Sequence, residues 1–86
     1  MSRFELDVLR EILRTRVGEV DGVDLDGDIA DLEFAELGYD SLAVLELCSH
    51  VGRLYGLQIP GDAVAEMPTP GKAVEYINAL LTEAGL

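Results

Sequence analysis

Eighty-six residues suffice for one small domain with a marginal core, and 17 acidic against 6 basic side chains give a net charge of −11. That charge disfavours nucleic acid and anionic membranes, whose phosphates need Lys and Arg, and it favours proteins with basic patches. A hydrophobic content of 49% argues against a solvated, disordered chain.

The first segment, residues 4–17, reads as a helix. Phe4, Val8 and Ile12 recur every four residues, Leu6, Leu9 and Leu13 form an adjacent row, and Asp7, Arg10, Glu11 and Arg14 lie mostly off both. Gly18 is placed to stop it. Residues Arg3 to Asp7 alternate apolar and charged, so no signal peptide is expected. No apolar run approaches the roughly 18 residues of a membrane span, and the expected setting is the cytoplasm.

Residues 18–40 lose helical periodicity and carry Gly18, Gly22, Gly27 and Gly38. A connection beyond about 15 residues is uncommon in a small domain and is usually functional or partly disordered. This one keeps Val20, Val23, Leu25, Ile29, Leu32, Phe34 and Leu37, so it is expected to be pinned across the bundle, with a short helical turn near Ile29 to Glu36.

Helix resumes over residues 41–55, with Val44, Leu47, Cys48, Val51, Leu54 and Tyr55 expected inward. Leu42, Ala43, Glu46, Ser49, His50 and Arg53 fall on the other side. Gly56 ends this helix, residues 57–60 form an extended connector, and Asp62 to Met67 make one or two helical turns. Thr69 is suited to cap a last helix that opens with Pro70 and runs to about Glu83, burying Ala73, Val74, Ile77, Leu80, Leu81 and Ala84. The expected fold is an all-α four-helix bundle, three helices longer and one short, with a long first loop, in a single domain over residues 1–86.

Three chemistries are tested by spacing. Asp24-Leu25-Asp26-Gly27-Asp28 resembles the start of a calcium loop, but counting from Asp24 the sixth position is Ile29 and the twelfth Ala35, where glycine and glutamate are required. One cysteine and one histidine make neither a disulfide nor a zinc site, and Cys48 is expected to act as a small buried hydrophobe. Ser41 opens the second helix beside Asp40, and one of the two is expected to cap it. His50 is nine residues further along, an offset of about 13 Å at 1.5 Å per residue, so a Ser–His dyad is excluded. No catalytic group is assigned. Ser41 is read as a substrate for another enzyme, at a helix end whose free N–H groups and dipole favour an attached phosphate.

Gly38-Tyr39-Asp40-Ser41-Leu42-Ala43, with the element order around it, resembles the acyl carrier protein family over nearly the whole chain. The resemblance implies 4′-phosphopantetheine, drawn from coenzyme A, on Ser41. It implies that Asp40 assists the phosphopantetheinyl transferase and that Leu42 contacts partner enzymes. Tyr39 and Ala43 look most like carriers of bacterial aromatic (type II) polyketide synthases, which make antibiotics. Fatty-acid carriers more often have alanine before the aspartate and an acid after the leucine, and peptidyl carriers a second glycine before the aspartate. Other implied partners are a ketosynthase with its chain-length factor, malonyl-transfer enzymes and tailoring enzymes, met by a monomer. Fatty-acid carriers have a densely acidic second helix, whereas here Glu46 stands with Ala43, His50 and Arg53, so acidity from Asp62 and Glu66 is expected to complete the partner surface. The alternatives are another carrier subtype or an acidic interaction bundle that is never pantetheinylated.

Overall fold

In the computed structural model, which describes residues 4–18 and 20–85, the chain is all-helical, with no strand among those residues. Helix α1 spans Leu6–Ile12 and runs on into a π-helical turn, Leu13–Val17; α2 spans Ser41–Tyr55, a 3-10 helix Gly61–Glu66, and α3 Pro70–Glu83. Among the described residues no helix is long and apolar enough to cross a membrane.

The first helix begins two residues later than its periodicity predicts. Phe4 and Glu5 are extended, and Glu5 caps α1 without a side-chain bond. Phe4 is nonetheless buried, because its N–H donates to Asn78 Oδ1 and its carbonyl accepts from Asn78 Nδ2, both at 2.9 Å. Its ring meets Tyr55 edge-on, with centroids 6.1 Å apart. At the other end the Thr15 hydroxyl donates to the Glu11 carbonyl at 2.8 Å, and the Gly18 N–H reaches back five residues to the Leu13 carbonyl at 2.7 Å. Side-chain bonding of this kind competes with the α ladder, and the turn widens.

The long loop forms separate turns, and the short helical turn expected near Ile29 to Glu36 is a set of three-residue turns with a single α-type bond among them. Its one α-type bond runs from Leu37 N–H to the Glu33 carbonyl, beside three-residue turns at Ile29–Leu32 and Ala35–Gly38. Five contacts hold it across the bundle. Arg10 donates to the carbonyls of Leu25 (2.7 Å) and Gly27 (3.0 Å), while Arg14 pairs with Asp26 at 2.7 Å. The Phe34 N–H donates to the Pro68 carbonyl, and the Gly71 N–H to the Ala30 carbonyl, each at 2.9 Å. A Cβ at Gly71 would stand 2.8 Å from that carbonyl oxygen. The aspartate-rich segment thus anchors to α1, and its first turn closes through Asp24 Oδ1 accepting the Asp26 N–H.

Leu25, Ile29, Phe34, Leu37 and Tyr39 bring the loop into one core with Leu9 and Leu13 of α1, Val44, Leu47, Cys48 and Val51 of α2, and Ala73, Ile77 and Leu81 of α3. Leu54, expected inward, is 63% exposed, and Tyr55 is only half-buried. The inward stripe of α2 ends at Val51 because Gly56 (φ 67°) turns the chain away, its N–H donating to the Gly52 carbonyl. Ala84 is likewise exposed, lying just past the end of α3, and Leu32 sits at the surface of the loop. The segment before Met67 is 3-10 rather than α, with three-residue bonds from Ala63 to Pro60 and from Met67 to Val64. It is too short to reward a full α turn and is confined between Pro60 and Pro68.

Candidate functional site

Two local devices bring the loop to the head of α2. Gly38 takes φ 87°, and a Cβ there would lie 2.9 Å from Val20 Cγ1, so only glycine lets the chain turn this closely. Tyr39 then buries its ring and donates its hydroxyl to the Gly18 carbonyl at 2.8 Å. The end of the loop is thereby tied to its beginning, 21 residues away. The direction in which Asp40 and Ser41 project is set by these contacts rather than by α2 alone.

Asp40 is the N-cap: it is extended (φ −87°, ψ −178°), and its Oδ1 accepts the Ala43 N–H at 2.9 Å while its carbonyl accepts from Val44. Ser41 is therefore the first residue inside α2. Its side chain is exposed and makes no hydrogen bond among the described residues. With Ala43 and Val44 satisfied, the N–H groups of Ser41 and Leu42 are left at the positive end of a 15-residue helix. That geometry fits a phosphate ester on the Ser41 oxygen.

Ser41 and Asp40 open onto a shallow cleft of about 270 Å³ floored by Phe34, Tyr39, Val44, Val64 and Met67 and edged by Glu33. No lysine or arginine lines it. Of the other residues singled out in the sequence, Leu42 is 64% exposed, and Glu46, Asp62 and Glu66 are all on the surface without lining the cleft. Glu33, Phe34, Val64 and Met67 were not singled out. The Phe34–Pro68 backbone bond helps gather this wall, and no local pattern announces it. His50 sits on the same α2 as Ser41, nine residues on, as the dyad argument requires. Burial pushes the Cys48 thiol above its ordinary pKa, as expected of a core cysteine.

Comparisons with known proteins give the family. The family profile described as a phosphopantetheine attachment site matches residues 9–77. The granaticin polyketide synthase acyl carrier protein of Streptomyces violaceoruber is 45% identical over 84 residues, covering 98% of this chain and 99% of that protein. The actinorhodin polyketide synthase acyl carrier protein of Streptomyces coelicolor is 44% identical over 78 residues, 91% of each. A solution structure of that actinorhodin carrier in its 3-oxo-butyl form superposes with a TM-score of 0.86 at 41% identity over 96% of both chains. The prosthetic group of this family is phosphopantetheine. The chain belongs to the phosphopantetheine-attachment family and, within it, to the acyl carrier proteins of type II polyketide synthases.

Proposed function

We propose that Ser41 is the residue that carries the 4′-phosphopantetheine arm, and that the chain acts as a single carrier module without catalysis of its own. The observation that carries this reading is the exposed, unbonded Ser41 hydroxyl at the capped head of α2, beside two free N–H groups. In the transfer, the Ser41 Oγ–P bond forms as the pyrophosphate bond of coenzyme A breaks, and the hydroxyl proton leaves to a base of the transferase. The chain's one histidine is out of reach, since His50 stands about 13 Å along the helix axis, and the neighbouring Asp40 carboxylate is engaged in the helix cap. Once bound, the arm supplies a terminal thiol that holds acyl groups as thioesters. Buried Cys48 stays outside that chemistry.

Asp40 keeps Ser41 in place through the cap, and its carboxylate faces incoming enzymes. Leu42 offers an apolar contact one residue on, and Glu46, Asp62 and Glu66 extend the acidic surface. The partners are a phosphopantetheinyl transferase, a ketosynthase with its chain-length factor, malonyl-transfer enzymes and tailoring enzymes, met by a cytoplasmic monomer. The apolar floor at Phe34, Val44, Val64 and Met67 is available to cargo next to the serine.

Intact mass after incubation with coenzyme A and a broad-specificity transferase tests the reading. Wild type should gain one phosphopantetheine, and Ser41→Ala should fold with an unchanged circular dichroism spectrum and gain nothing. An unmodified wild type would favour the acidic interaction bundle. Mapping the added group to Ser49, or to Ser2 outside the described residues, would move the site.

A further inference from the structure

The cations of this acidic chain are unevenly committed. Arg10 and Arg14 hold the long loop and pair with Asp7, Glu11 and Asp26. Arg16 and Arg53 are exposed and make no ion pair with a described residue. Both line one open cleft of about 450 Å³ at the seam of α1 and α2, together with His50. Its apolar surface comes from Val8, Ile12 and the exposed Leu54, and the carboxylate on its wall, Glu11, is 3.4 Å from the Arg14 guanidinium.

The cleft lies on the far flank of α2 from Ser41. At about 100° per residue, His50 is rotated about 180° from Ser41 and Leu54 about 220°. The buried stripe Val44–Leu47–Val51 separates the two flanks on one side, and the exposed strip Leu42–Leu45–Ser49 on the other. An arm on Ser41 therefore runs beside a different face, and this cleft is not a resting place for cargo.

We infer that the α1–α2 cleft docks an acidic, apolar-anchored segment of a partner protein, with carboxylates on Arg16 and Arg53 and an aliphatic or aromatic side chain against Val8, Ile12 and Leu54. Guanidinium groups with no ion pair among the described residues, beside an exposed leucine, match that chemistry, since arginine binds carboxylates through paired donors and apolar anchors concentrate binding energy. Charge complementarity fixes the occupant: a chain of −11 repels acidic segments over most of its surface, and here it presents two arginines that make no ion pair among the described residues. Naming the partner as a synthase enzyme rests on the carrier reading; the binding itself does not. For such an enzyme, a basic patch at Ser41 and an acidic one at Arg53, about 18 Å apart along α2, fix the docking orientation.

The test uses the ¹⁵N-labelled apo chain and a 14-residue Leu/Glu amphipathic helical peptide. Its Leu/Gln counterpart and free octanoate serve as comparison ligands. The Leu/Glu peptide should shift the amides of Val8, Ile12, His50 and Leu54 to saturation. The Leu/Gln peptide should bind at least tenfold more weakly, and the double variant Arg16→Gln/Arg53→Gln should raise Kd at least tenfold with an unchanged Tm. The inference is overturned by shifts centred on Ser41 or scattered, by an unaffected double variant, or by octanoate giving the same shifts at equal Kd, which would make the cleft a site for free carboxylates. A chain that takes no phosphopantetheine leaves this result untouched, so the two readings fail separately.

Discussion

At Asp40 one carboxylate caps α2 and also stands beside the serine, and the two roles separate by substitution. Asparagine caps a helix about as well as aspartate, whereas alanine at an N-cap costs about 1 kcal/mol. Asp40→Asn should therefore keep the midpoint of urea unfolding close to wild type yet slow Ser41 loading, because it deletes charge and leaves the Ala43 bond. Asp40→Ala should lose stability as well as loading rate. Equal loading rates for Asn and wild type would show that the charge is irrelevant to the transferase. Cys48 makes a second residue-scale prediction. Its folded pKa is raised above 9.0 by burial, so above that pH the unfolded chain binds fewer protons than the folded one. Stability from this thiol is fully present below pH 9 and declines as pH rises through the folded pKa. Urea titrations at pH 7.5 and 10 should show a smaller drop for Cys48→Ala than for wild type.

At the scale of the elements, Gly52 decides how closely the chain returns after α2. A Cβ there would stand 2.8 Å from the Leu57 carbonyl oxygen, and the Leu57 N–H donates to the Gly52 carbonyl at 2.9 Å. Alanine would gain about 1 kcal/mol in helix propensity, but the obstructing atom is backbone, and overpacking costs about 1–3 kcal/mol. Gly52→Ala should lower stability by about 1 kcal/mol and Tm by about 4–8 °C, measured by thermal unfolding. Gly61→Ala is the control: its nearest neighbour would be Leu45 Cδ2 at 3.9 Å, and it should be neutral or slightly stabilising. The boundaries of α2 and the start of α3 were legible in the sequence because they are written locally, in Asp40, Gly56 and the Thr69-Pro70 pair. So was the serine at the head of α2. The extended yet buried Phe4 depends on Asn78, far along the chain, while the π-turn and the exposure of Leu54 follow from local bonds at Thr15, Gly18 and Gly56; periodicity carries no trace of any of them. The same holds for the cleft wall at Glu33, Val64 and Met67. Tyr39 marks the subtype by resemblance, and its part-buried hydroxyl bond to Gly18 also makes it a fastening of the loop.

Across the whole molecule, charge and anchoring divide the surface. Arg10 and Arg14 are consumed by the loop, so Glu33, Asp40, Glu46, Asp62 and Glu66 remain as exposed acids on the loop end, α2 and the 3-10 helix. Single exposed ion pairs are worth about 1 kcal/mol or less, so charge reversal at any one of these should be mild and combined reversals severe. The Debye length shortens from about 10 Å at 0.1 M salt to about 3 Å at 1 M, so added salt should slow association with the transferase more than it speeds dissociation. Stopped-flow association rates across that range check this, and salt-independent association would remove electrostatic steering.

The clasp between Phe4 and Asn78 bears on how such a unit is joined to others. Its paired hydrogen bonds hold Phe4 against α3 at Asn78, five residues before that helix ends at Glu83, an axial offset of about 8 Å at 1.5 Å per residue. A fold entered and left on one side can be spliced into a surface loop of a host protein without prising the host's flanking residues apart. Cutting the clasp with Asn78→Ala should loosen that geometry first, so that a spliced version tolerates the change less well than the free-standing one.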